Sequence, residues 1–149
     1  MPKPEEPLAQ LYRETVLEHS RRPHNFRRLE APQHQATGNN PLCGDQVTLY
    51  LQESDGVVTD AAFEARGCAI SVASSSMLTD IVRGRPTAEV QRLAREVAES
   101  FASADGILPG DLAALAGVRH YPARVRCATL PWRTLRAALD GAREPVSTE

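Results

Sequence analysis

Cysteine is scarce in this chain of 149 residues, with three copies, and aromatic residues make up only 5%. An odd number of cysteines cannot form a closed disulfide framework, which argues against a small secreted scaffold. Lysine occurs once, at Lys3, and the rest of the 17 basic residues are arginine. They are balanced by 19 acidic residues, for a net charge of −2. No global basic field is available to attract nucleic acid. No apolar run approaches the ~20 residues of a membrane-spanning helix. The start, Met-Pro-Lys-Pro-Glu-Glu-Pro, has no apolar core behind a basic end and does not read as a secretory signal. The expected compartment is the cytoplasm, with neither a membrane nor nucleic acid as partner. Neither G-x-G-x-x-G nor G-K-[ST] occurs, so the common phosphate-cradling loops are excluded.

What remains is a composition ordinary for one globular domain, 42% hydrophobic and 24% charged. A single domain is expected over 1–149, with 1–7 and 142–149 as flexible tails. Leu8, Leu11, Tyr12, Thr15 and Val16 recur at helical spacing, and Pro23 closes that helix. Thr37-Gly38-Asn39-Asn40-Pro41 reads as loop. Val47, Leu49 and Leu51 then alternate with polar residues, Ser54-Asp55-Gly56 marks a hairpin turn, and a partner strand follows over 57–65. Helices are expected over 69–82 and 87–102, with a short turn of helix at 111–116. Pro131 predicts a break near 127–130 before a last helix, since an internal proline costs about 3 kcal/mol. The order of elements gives an α+β fold: a small antiparallel sheet packed against several helices.

Cys43 enters a strand from a loop, Cys68 leaves a strand through Gly67 into a helix, and Cys127 precedes a helix. Side chains at element ends can converge, and helix N-termini favour the thiolate. Asp45 follows Cys43 by two residues, across a glycine that allows a sharp turn. Three thiolates and one carboxylate suit tetrahedral zinc and also suit an iron–sulfur cluster. The alternative is three buried, inert cysteines, because no C-x-x-C pair is present.

The other polar residues carry less. No histidine pair has zincin spacing, so His19, His24, His34 and His120 read as surface, loop or helix-end residues. Ser74, Ser75 and Ser76 lack a nucleophile-elbow context and read as small residues that permit close packing. A Cys/His nucleophile pair stays open, with no histidine marked as its base. Tyr121, Leu130 and Trp132 form either a docking patch near Cys127 or part of the core.

Asn40-Pro-Leu-Cys43-Gly44-Asp45, Phe63 through Gly67-Cys68-Ala-Ile-Ser, and Pro122 through Cys127-Ala-Thr-Leu resemble the U-type iron–sulfur assembly proteins, the NifU N-terminal, IscU and SufU family. Leu11-Tyr12 and Glu18-His19 through Pro23-x-Asn25 match as well. The resemblance covers about Leu8 to Leu139. It implies the SufE/NifU-like α+β fold, a metal site at one end, and Cys43, Asp45, Cys68 and Cys127 as ligands. It also implies a sulfur-transfer partner of a PLP-dependent cysteine desulfurase, not a stand-alone enzyme, feeding downstream cluster-assembly proteins.

Scaffold members carry histidine where this chain has Arg126, and a Leu-Pro-Pro-Val-Lys motif that is missing here. The long interval between Cys68 and Cys127 is similar to SufU, whose desulfurase is SufS-type. That branch implies Zn2+, with Cys43 as sulfur acceptor, Cys127 as alternative acceptor and Arg124 positioning the freed thiol. A desulfurase histidine would take the place of Cys43 on the metal. The scaffold branch implies instead iron or a [2Fe–2S] cluster on the same ligands, and a structural zinc module is the third alternative.

Overall fold

The computed structural model describes residues 6–103, 106–141 and 144–147. Helix α1 (Glu6–Arg21) leads into strands β1 (His34–Asn40), β2 (Asp45–Ser54) and β3 (Val57–Arg66). Helices α2 (Ala69–Val82) and α3 (Thr87–Ala102), a 3₁₀ helix (Gly110–His120) and α4 (Pro122–Leu139) follow, and β4 (Val146–Ser147) ends the order. The sheet runs β3-β2-β1-β4, antiparallel except for the β1–β4 pair. This is the expected α+β fold.

Alternation builds the core. Val47, Leu49 and Leu51 of β2 join Ala61 and Phe63 of β3 on the face covered by helices. Tyr50 and Ala62 face the other way, against Leu29. The same period-two register turns Asp45 and Asn40, which pair across the β1–β2 hairpin, toward the helical side. In the 3₁₀ helix the buried residues are Leu112, Leu115 and Val118, a spacing of three that matches its three residues per turn.

Three expectations need correction. The segment read as loop at 37–41 is mostly strand, since β1 reaches Asn40. Gly38 is needed there because a Cβ would lie 2.0 Å from Thr134 Oγ1 and 3.0 Å from Leu130 Cδ1. At the C-terminus, Val146–Ser147 pair with Gly38–Asn39 rather than trailing free. At the N-terminus Glu6 and Pro7 already belong to α1, and residues 1–5, 142–143 and 148–149 of the expected tails lie outside the described residues.

The last helix does not break. α4 runs without interruption through Pro131, and Pro122 occupies its first turn, where a missing N–H costs nothing. Pro131 cannot donate to the carbonyl four residues back, that of Cys127. Ser71 supplies a replacement, its hydroxyl donating to Cys127 O at 3.3 Å. Ser74 does likewise to Ala128 O at 2.7 Å. The serines of α2 thus support the proline turn of α4. Replacing Ser71 by alanine leaves a buried carbonyl short of a donor, and should lower stability by about 1–3 kcal/mol in denaturant melts. The continuous helix also settles the apolar residues near Cys127: Leu130 and Trp132 are core, while Tyr121 is exposed.

Candidate metal centre

Three chain turns bring the cysteines together. Cys43 sits in the β1–β2 turn, which closes when the Cys43 and Gly44 N–H groups donate to Asn40 O. Gly44 has φ +73°, a left-handed conformation that glycine adopts without strain. Cys68 caps the N-terminus of α2. Cys127 lies in the second turn of α4 and is buried, whereas Cys43 is exposed. All three are free thiols.

Donor atoms of Cys43, Asp45 and Cys127 lie within 4.8 Å of one another. Cys68 Sγ lies 3.9 Å from Asp45 Oδ2. Zinc–sulfur bonds of about 2.3 Å in a tetrahedron separate the sulfurs by about 3.8 Å, so Cys43, Asp45 and Cys127 approach the spacing of a tetrahedral ion, while Cys68 lies outside that group of three but beside Asp45. Three sulfurs and an oxygen also match the donor preference of zinc.

Asp45 is held from two sides. The Cys68 N–H at the start of α2 donates to Oδ1 at 2.7 Å, and the positive end of the helix dipole faces the carboxylate. Asn40 Nδ2 donates to Oδ2 at 3.1 Å and also reaches Cys127 Sγ at 3.4 Å. Asn40 is fully buried. The sequence reading assigned it no role, although it opens the Asn-Pro-Leu-Cys-Gly-Asp run and its place opposite Asp45 follows once β1 is seen as a strand. Gly67 has φ +133°, and a Cβ there would come within 2.2 Å of Asp45 Oδ1.

Burial pushes the Cys127 thiol well above its ordinary range, and hydrogen bonds with Asp45, Cys68 and Cys43 push the same way. The Arg124 guanidinium is pushed up by the charge of Cys68, then by its hydrogen bond to Cys127 and the charges of Cys127 and Cys43. Arg124 therefore reaches the sulfur cluster from the solvent side. Arg126 lines a hollow with Phe101, Arg119 and His120. A guanidinium has no lone pair to offer a metal.

His19 belongs to a different cluster. It is buried, with Nδ1 2.7 Å from Ser76 Oγ and Nε2 2.9 Å from Asp111 Oδ2. The order serine, histidine, aspartate imitates a hydrolytic triad. Ser76 is fully buried and its oxygen already accepts the His24 N–H at 2.8 Å, so no substrate carbonyl reaches it. His19 lies in the last turn of α1, as the helix-end reading expects; its burial is what that reading did not include.

A small α+β domain with a thiol–carboxylate cluster at the hairpin end is the architecture of iron–sulfur assembly domains. The family model for the NifU-like N terminal domain matches residues 11–128, and the chain belongs to that family of SufU and IscU proteins. It is 36% identical over 131 residues to the zinc-dependent sulfurtransferase SufU of Bacillus subtilis, covering 86% of this chain and 88% of that one. It is 36% identical over 142 residues to the iron–sulfur cluster assembly scaffold protein IscU of Thermotoga maritima, covering 91% and 96%. The crystal structure of the NifU-like N-terminal protein from Brucella abortus superimposes with a TM-score of 0.78 at 31% identity, over 89% of this chain and 94% of that one. No helix among the described residues is long and apolar enough to cross a membrane.

Proposed function

We propose that this protein accepts persulfide sulfur from a PLP-dependent cysteine desulfurase of the SufS type, for cluster assembly, with Zn2+ resident on Cys43, Asp45, Cys68 and Cys127. The observation that carries the reading is the asymmetry of the donor set. One thiol, Cys43, is exposed in a turn, while Asp45 and Cys127 are buried and cross-linked by Asn40. When bound, the zinc supplies Lewis acidity that keeps the thiols deprotonated at neutral pH.

The Cys43 thiolate attacks the outer sulfur of the desulfurase persulfide. A bond forms between Cys43 Sγ and that sulfur, and the bond from that sulfur to the desulfurase cysteine breaks. Its electron pair leaves on the desulfurase thiolate. Arg124 offers a positive charge beside the cluster to hold Cys43 and the new persulfide in place. Cys127, buried and raised in pKa, is the less accessible alternative acceptor. Leu42 and Tyr121 are large apolar side chains exposed on the segments leading to Cys43 and into α4, and they suit contact with the desulfurase.

A scaffold that builds a [2Fe–2S] cluster on the same donors is the second reading, favoured by the similarity to the Thermotoga IscU. Arg126 speaks against it, because the position before the third cysteine carries no donor atom. Desulfurase turnover in iron-free buffer separates the two. The zinc-loaded protein should raise alanine release from cysteine. No rise without iron would leave the scaffold reading. Replacing Asn40 by alanine removes the group that orients Asp45 and touches Cys127. Zinc affinity should fall by about 10–100-fold in a competition titration against a colorimetric chelator.

A further inference from the structure

Beyond the sulfur cluster, a second group of donors is assembled from three separate segments. His19 of α1, His24 in the segment after it, and Asp80 of α2 place one donor atom each within 4.8 Å of one another. Asp80 lies twelve residues beyond Cys68, about 18 Å along the helix axis, so the two groups are distinct. We propose that His19, His24 and Asp80 form a second metal site, for a divalent first-row transition ion.

The chemistry of the donors selects that class. Two imidazoles and a carboxylate suit zinc, iron(II), cobalt(II) or nickel(II), whereas magnesium and calcium prefer all-oxygen sets. His19 is pre-oriented. The Ser76 hydroxyl oxygen has two acceptor positions, taken by the His24 N–H and, in the appropriate tautomer, by His19 Nδ1–H. Without a metal Nε2–H donates to Asp111 Oδ2, 2.9 Å away; with the proton on Nδ1, the Nε2 lone pair is available to an ion and Asp111 lies beside it. A histidine whose second nitrogen is fixed by an outer hydrogen bond is the usual arrangement around bound metals.

The approach is open on the other side. His24 and Asp80 are 45% and 42% exposed, and they contact each other directly. Asp80 accepts a further hydrogen bond from Asn25 Nδ2 and has no arginine partner among the described residues. Arg83, the nearest arginine in sequence, is engaged by Asn25 Oδ1 and Asp60. Asn25 itself has φ +59°, a left-handed turn that bends the chain directly after His24. Asp80 and Asp111 thus bring two carboxylates to two imidazoles, with no arginine or lysine paired to either carboxylate among the described residues, a donor set that a divalent ion can bridge.

Cobalt(II) titration of the full-length protein under anaerobic conditions tests this, because thiolate ligands give intense near-ultraviolet charge-transfer bands and histidine–carboxylate sites do not. The wild type should take up one equivalent without any charge-transfer gain. His24→Ala and Asp80→Ala, both at exposed positions, should each lose that equivalent while keeping the thiolate band unchanged. An equivalent retained in both variants, or no such equivalent in the wild type, overturns the proposal. The thiolate band reports the cysteine site by itself, so failure of one reading is distinguishable from failure of the other.

Discussion

Replacing Cys43 by serine is expected to abolish sulfur acceptance and leave the fold intact. Desulfurase turnover should drop to the level of the desulfurase alone. Mass spectrometry after a single turnover should find no added sulfur on the variant, where the wild type gains one sulfur atom on the peptide that carries Cys43. The stability side of the prediction follows from exposure: Cys43 fills no part of the core, and exposed substitutions usually change stability by less than about 0.5 kcal/mol in the metal-free protein. The Cys127→Ser variant separates the two candidate acceptors. Its thiol is buried and hydrogen-bonded, so the change should destabilise the protein and weaken metal binding, yet Cys43 should still be able to take up sulfur. Sulfur found on Cys127 in the Cys43→Ser protein would reverse the assignment.

The second large effect is expected at Gly67. An alanine Cβ would lie 2.2 Å from Asp45 Oδ1 and 2.8 Å from Asp45 Cα, and the residue would have to keep φ +133°. The clash involves backbone, so a rotamer change cannot relieve it. Strained backbone of this type costs about 1–3 kcal/mol, and overpacking costs a similar amount. A loss of about 2 kcal/mol in a chain of this size lowers Tm by about 4–8 °C. The displacement of Asp45 should weaken zinc binding as well. Gly44→Ala is the control, since no atom lies within 4 Å of its Cβ and only the backbone penalty at φ +73° applies. Thermal melts with and without zinc should therefore rank Gly67→Ala well below Gly44→Ala, and the gap should widen when zinc is present.

The legibility of these features in the sequence varied with their physical origin. β2 and β3 declared themselves because Val47, Leu49 and Leu51 alternate against one core face. β1 did not, because its inward positions are Ala36, Gly38 and Asn40, which are small or polar. They must be small at Gly38, where α4 packs against the strand, and polar at Asn40, where the strand meets Asp45. The packing partner lies nearly a hundred residues away, so no local pattern announces it. The course of α4 was hidden for a related reason: the hydroxyl that offsets Pro131 belongs to Ser71, on another helix.

The cluster itself was more legible than the fold around it. Cys43, Asp45 and Cys68 all sit beside glycines at element ends; donors of Cys43, Asp45 and Cys127 lie within 4.8 Å of one another, and Cys68 Sγ lies 3.9 Å from Asp45 Oδ2. Asn40 escaped notice because its role depends on cross-strand pairing. His19 escaped it because its burial depends on α2 and the 3₁₀ helix, whose positions the local sequence around α1 does not encode.

The relay reading rests on zinc, not iron, at the thiol cluster. The most direct measurement is metal analysis of freshly purified protein, together with its visible spectrum and X-ray absorption at the metal edge. The account predicts zinc with sulfur in its coordination shell and a colourless sample. Iron at the thiols, with visible absorption and a brown colour, would contradict it and identify the protein as a scaffold.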